Sequence, residues 1–87
     1  MSNRKYEYEL FLREGDEEGE YFVDLREDIV EFGDTIDSEY IEGFIIDNYT
    51  DALKKFNELG EQVERGEFKG AKLFICNEVA EEIKEKL

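Results

Sequence analysis

A formal charge of −14 on 87 residues, with no His, no Trp, no Pro and one Cys, excludes an internal disulfide and a Cys/His zinc site and opposes direct binding to nucleic acid. The chain is still 40% hydrophobic and 14% aromatic, so its charge is not a signature of disorder. Its length makes one compact domain, 1–87, with a modest core, and folding works against a self-repulsion that added salt screens.

From Met1 to Tyr6 the chain is polar, without the apolar core of a signal peptide, and no stretch approaches the ~20 apolar residues of a membrane span. A cytoplasmic protein with no membrane partner is expected. From Tyr6 to Arg13 the residues Tyr6, Tyr8, Leu10 and Leu12 alternate with Glu7, Glu9, Phe11 and Arg13, the period of a half-buried strand. The segment Glu14-Gly15-Asp16-Glu17-Glu18-Gly19 has no apolar residue, and alternation resumes from Glu20 to Arg26 with Tyr21, Val23 and Leu25 on one side. This is a hairpin with a charged tip. Asp28 to Phe32 is short and ambiguous, Gly33-Asp34 signals a turn, and Tyr40 to Ile46 is rich in β-formers, so one or two further strands are expected. For 28–40, strand, helix and loop all stay open.

After Ile46 the period changes. Asp47 or Asn48 caps a helix over about 48–65 whose apolar stripe is Tyr49, Ala52, Leu53, Phe56, Leu59 and Val63. Gly60 lies on that stripe and suggests a close approach to the sheet, while Gly66 supplies the stop. Gly70 then opens a strand, Ala71 to Cys76, expected to be buried because it is the most apolar run of the chain. The tail places Val79, Ala80, Ile83 and Leu87 at helical spacing behind Asn77, predicting a short C-terminal helix, with a strand continuing to Ile83 as the alternative. These elements make an α+β domain: a mostly antiparallel sheet of three to five strands, with the principal helix on one face. Glu7, Glu9, Phe11, Phe22 and Asp24 then point to the other face as a mixed acidic and aromatic surface.

No arrangement of these residues makes a convincing catalyst. Paired carboxylates serve glycosidases, but clustered acids bring such pairs together by chance, and the chain offers neither His nor Trp to build a substrate cleft. Asp16-Glu17-Glu18-Gly19-Glu20 is dense in hard oxygen donors, yet counting from Asp16 puts Tyr21 where the EF-hand loop needs Gly. Cys76 follows Leu73-Phe74-Ile75 with no His to activate it and reads as packing. The chain is therefore expected to be non-enzymatic, with no cofactor and no metal.

What distinguishes the sequence is where the charge sits. Between Glu14 and Asp51 lie Glu14, Asp16, Glu17, Glu18, Glu20, Asp24, Glu27, Asp28, Glu31, Asp34, Asp37, Glu39, Glu42, Asp47 and Asp51 against Arg26 alone, and this stretch by itself carries the charge of −14 while the flanks cancel. A one-sided field of this kind suits a surface that meets something positive. Acids at alternate strand positions lie nearly 7 Å apart at about 3.4 Å per residue, close to the separation of successive phosphates.

In size, in this acid block, and in a strand-rich front half followed by a helix and a strand, the chain resembles the small acidic proteins that phages and mobile elements use as DNA mimics. These include anti-CRISPR proteins and inhibitors of restriction or DNA-repair enzymes. The resemblance carries no motif residue. It implies a stoichiometric inhibitor in the host cytoplasm whose partner is a basic protein, a nuclease or nucleic-acid-binding complex. Candidate contacts are Glu17, Glu18, Glu20, Asp24, Glu27, Asp28, Glu31, Asp34, Asp37, Glu39 and Glu42. The alternative is an interaction or accessory domain whose acidity serves solubility and which binds through Phe11, Phe22 or an exposed sheet edge. Lys54, Lys55, Lys69 and Lys72 offer a small basic patch in the otherwise more neutral C-terminal half.

Overall fold

The computed structural model describes residues 3–80. Three long strands, β1 (Arg4–Glu14), β2 (Tyr21–Glu31) and β3 (Asp34–Ile46), precede the helix α1 (Tyr49–Glu64) and a last strand, β4 (Lys72–Asn77). The sheet order is β3-β2-β1-β4, antiparallel except where β4 runs parallel to β1. This is the expected α+β domain with a mostly antiparallel sheet.

The helix crosses from the β3 edge to the β4 edge over one face. The alternation read in β1 and β2 faces it: Tyr8, Leu10, Leu12, Val23 and Leu25 are fully buried against Ala52, Phe56, Leu59 and Val63. Asn48 caps the helix, its side chain accepting from the Asp51 N–H at 2.8 Å. At the other end Gly66 takes a left-handed φ of 79°, with its N–H on Val63 O and the Glu67 N–H on Gln62 O, a Schellman stop. A helix of 16 residues spans about 24 Å at 1.5 Å per residue. The molecule is 49 Å long, so much of the sheet's helix-side face is left uncovered.

One region left open takes a definite form, and one expectation needs correction. The region 28–40 is strand nearly throughout, interrupted only by the turn at Phe32-Gly33: β2 runs unbroken to Glu31 and β3 begins at Asp34. Its periodicity was hidden because Glu27 and Asp28 are both buried acids, and because two bulges break the alternation of β3. The strand over Ala71–Cys76 is not buried. As β4 it forms a sheet edge on which Phe74 and Ile75 are exposed and Cys76 is half-buried on the face away from the helix. An edge strand has one neighbour, so an unbroken apolar run does not guarantee cover on both faces. After β4, Glu78 N–H bonds Leu12 O and Val79 is buried. Of the C-terminal helix expected behind Asn77, residues 78–80 are not helical, and the rest lies outside the described residues.

Candidate acidic interface

The two bulges decide where the acids of β3 point. The cross-strand register passes from Leu25–Glu42 to Arg26–Tyr40 and from Ile29–Asp37 to Val30–Thr35, leaving Ile41 and Ile36 without a partner of their own. Strict alternation counted back from Ile46 would put Asp37 and Glu39 on the face opposite Asp34 and Glu42. With the bulges, Asp34, Asp37, Glu39 and Glu42 stand opposite Glu31, Ile29, Glu27 and Leu25, all on the helix-side face. Further along that face the residues become Phe44 and Ile46, which pack against the core. Along β3 the face is thus apolar where the helix covers it and acidic beyond it.

Asp34, Asp37, Glu39 and Glu42 are all exposed, and none of them makes an ion pair among the described residues. Asp37 accepts only from the neighbouring Ser38 N–H, at 2.9 Å. Being first in the sheet order, β3 also leaves its outer edge unpaired among the described residues. The row leads toward the β1–β2 loop, where Glu17, Glu18 and Glu20 share a cleft of about 460 Å³ with Ile45, Ile46 and Asp47. Asp47 was not among the sequence candidates. Its place between a strand and a helix cap gave no sign that the loop at 17–20 lies across from it.

The remaining candidates are engaged internally. Glu27 is buried and accepts from Tyr8 Oη at 2.8 Å. Asp24 pairs with Arg13 at 2.8 Å and Glu31 with Arg4 at 3.0 Å. Asp28 accepts from Ser38 Oγ at 2.6 Å and lies 3.3 Å from Arg26 Nε, while Arg26 also holds Glu9. Burial alone would push the Asp28 carboxyl up, but hydrogen bonds with Glu9 and Ser38 and the Arg26 charge outweigh it and hold Asp28 below the ordinary aspartate range. Glu9 is shifted the other way, first by its hydrogen bond to Asp28 and then by burial, so Glu9 is the member of the pair that keeps a proton longer. Of the eleven candidates, the seven on the loop and on β3 remain available to a partner.

The face away from the helix carries the expected mixture of charge and rings, with the charges neutralised in place. Glu7, Glu9 and Phe11 stand opposite Asp28, Arg26 and Asp24. Phe11 lies between two guanidinium groups, with Arg13 at 5.8 Å and Arg26 at 5.5 Å from its centroid, and Tyr40 sits 6.4 Å away. Phe11 is therefore occupied, whereas Tyr40, Ile45 and Phe74 on the same face are exposed.

The basic patch also differs from expectation. Lys69 and Lys72 are joined by Arg4 and Lys5 around one shallow cleft where β1 and β4 begin, while Lys55 stands over the Phe44 ring on the helix. The described residues contain no group of three or more His, Cys, Asp or Glu placed to hold a metal ion, and no helix among them is long and apolar enough to cross a membrane. No family model, curated protein or solved structure matches the chain.

Proposed function

We propose that this chain is a non-enzymatic inhibitor that covers the basic nucleic-acid-binding surface of a target protein, as DNA-mimic and anti-CRISPR proteins do, acting in the cytoplasm of a host cell. The observation that carries this reading is the exposed, unpaired row Asp34, Asp37, Glu39 and Glu42, which two bulges bring to one face of an edge strand. The acids of β1 and β2 that flank the row behave differently, with Glu7, Glu9, Asp24, Asp28 and Glu31 paired with Lys or Arg. Acids kept free in one row, beside an acidic loop, attract a positive surface over distances of about a Debye length. Association is then fast and falls with salt. The partner is a basic protein, and nucleic acid competes with this chain for it.

The test is binding to a panel of purified nucleases and nucleic-acid-guided complexes at about 0.1 M and about 0.5 M salt, where the Debye length falls from ~10 Å to less than half. Binding to a basic member that weakens with salt and is displaced by duplex DNA supports the reading. A complex indifferent to both contradicts it. That second outcome would favour an interaction module using Tyr40, Ile45 and Phe74, the exposed apolar residues of the open face.

A further inference from the structure

Where β1 begins, the face away from the helix holds a cleft of about 530 Å³. Its floor is a cross-strand row: Lys5 of β1 stands opposite Val30 of β2, and the bulge at Ile36 brings Thr35 of β3 opposite Val30 in turn. Val30 is buried although it lies on the open face. Glu7 and Lys72, opposite each other in the β1–β4 ladder and 3.6 Å apart, line the cleft from the β4 side, and Phe32 lines it from the β2–β3 turn. Phe32 and Gly33 have left-handed φ of 52° and 83°, the type I′ pattern in which Asn-Gly is the favoured pair. Phe32 holds the first position nonetheless and is 81% exposed. Neither turn preference nor the core accounts for a phenyl ring there, whereas a place on the rim of the cleft does.

The cations of this end complete the site. A second cleft of about 350 Å³ shares Lys5, Glu7 and Lys72 and adds Arg4 and Lys69. The two acids nearest are neutralised, Glu7 by Lys72 and Glu31 by Arg4. Lys5 and Lys69 are exposed and pair with no carboxylate among the described residues. Lys69 is held in place through its backbone: its N–H donates to Tyr8 Oη at 3.0 Å, and its ammonium group stands 5.0 Å over the Tyr6 ring. Next to it, Gly70 lies so close to the Tyr6 carbonyl oxygen that a Cβ would collide with it. The segment carrying Lys69 and Lys72 is thus fixed against β1.

An exposed ring, an apolar floor and unpaired ammonium groups are the parts that recognise a nucleoside phosphate, whose base stacks on the ring while its phosphates meet the lysines. The volume lies within the range of about 300–1,000 Å³ for small-ligand clefts. Charge decides between a nucleotide and a strand. A longer nucleic acid would leave this end and run over the acids of the chain, while a single nucleotide stays among the cations. The free acids of β3 are on the opposite face of the sheet, and acids further off are screened beyond a Debye length of ~10 Å at 0.1 M salt.

We propose that this cleft binds a nucleoside triphosphate, with its base on Phe32 and its phosphates passing Lys5 and Lys72 toward Lys69. The site goes beyond the inhibitor reading and does not depend on it, because it uses other residues on the other face.

The test is an amide NMR titration of the full chain with ATP, adenosine and inorganic tripolyphosphate. ATP is expected to shift Lys5, Val30, Gly33, Thr35 and Lys72 saturably, with adenosine and tripolyphosphate each bound about tenfold more weakly or worse. Phe32→Asn gives the turn its preferred residue and is expected to bind ATP about tenfold more weakly, the size of one lost base–aromatic stack, with tripolyphosphate unaffected. Lys5→Gln combined with Lys69→Gln is expected to weaken ATP and tripolyphosphate together. The ligand comparison in the parent stands even where a variant fails to fold. Absence of a saturable shift overturns the proposal, as does a response centred elsewhere. Equal affinity for ATP and tripolyphosphate, or a folded Phe32→Asn that binds ATP as the parent does, would leave a patch that takes any anion and overturn the nucleotide site. Tighter binding of a single-stranded oligothymidylate than of ATP would assign the cleft to a nucleic acid strand and overturn it too.

Discussion

Removing one hydroxyl group should weaken the centre of this fold in a way that pH reverses. Tyr8 is fully buried on β1, donating through Oη to Glu27 Oε2 at 2.8 Å and accepting from the Lys69 N–H at 3.0 Å. It therefore ties the central strand and the α1–β4 connection to β1. Burial, followed by the hydrogen bond to Glu27, pushes its phenol up from 10.0 to about 12. The folded state holds this proton more tightly than the unfolded chain. The corresponding stability is fully present below about pH 10 and is lost as pH rises through about 12. Two pKa units correspond to about 2.7 kcal/mol. A second route gives a similar figure: Tyr8→Phe leaves a buried carboxylate without its donor, and a hydrogen bond to a charged group contributes about 1.5–3 kcal/mol. Urea unfolding of parent and Tyr8→Phe at pH 7 should therefore differ by about 2–3 kcal/mol, or roughly 10–20 °C in melting temperature for a domain of this size. The gap should close between about pH 10 and about pH 12, because only the parent carries the Tyr8 proton that the folded state holds. A gap under ~0.5 kcal/mol at pH 7 would refute the assigned hydrogen bonds, and one that stayed constant through the alkaline range would refute the assigned shift.

Two glycines with opposite expectations test the packing of the helix and its exit. At Gly60 an added Cβ would lie 3.5 Å from Leu10 Cδ2 and 3.6 Å from Leu73 Cδ2, ordinary contact distances, so Gly60→Ala should raise stability by about 1 kcal/mol through helix propensity. Destabilisation in a thermal melt would mean that the helix lies closer to the sheet than described. At Gly70 the same atom would collide with the Tyr6 carbonyl oxygen and lie 3.0 Å from its carbonyl carbon. Backbone cannot swing aside as a side-chain end does, so Gly70→Ala should lower stability by about 1–3 kcal/mol. An unchanged urea midpoint would show that the turn before β4 relaxes freely.

Local patterning made much of the fold legible. Tyr8, Leu10 and Leu12 alternate cleanly because one face of β1 is wholly covered, and the 3.6-residue stripe from Tyr49 to Val63 survives because one side of α1 lies on the sheet. The pattern failed where tertiary partners override it. Glu27 and Asp28 are buried only because Tyr8, Ser38 and Arg26 receive them from distant parts of the chain, and no local signal carries that information. Bulges are equally silent in the sequence. Ile41 falls in the β-rich run from Tyr40 to Ile46 and Ile36 in the open region 28–40, and neither is marked as a bulge, yet they decide that four acids of β3 share a face. The acid block was visible in composition, but which of its members are neutralised depends on pairings such as Arg13–Asp24 and Arg4–Glu31 across the β1–β2 ladder.

The central claim is that the β3 row, and not net charge in general, makes the contact. Two triple variants with the same change of charge separate these: Asp37→Lys, Glu39→Lys and Glu42→Lys on the row, and Glu58→Lys, Glu61→Lys and Glu64→Lys on the exposed side of α1. The direct measurement is the equilibrium affinity of each for the panel member that the parent binds, at about 0.1 M salt, where fields of this range still act. The account predicts that the β3 variant loses binding by a factor of 100 or more, on the order of 1 kcal/mol for each reversed contact, while the α1 variant stays within about tenfold of the parent. Equal losses in the two variants, or a β3 variant that binds as tightly as the parent, would contradict it.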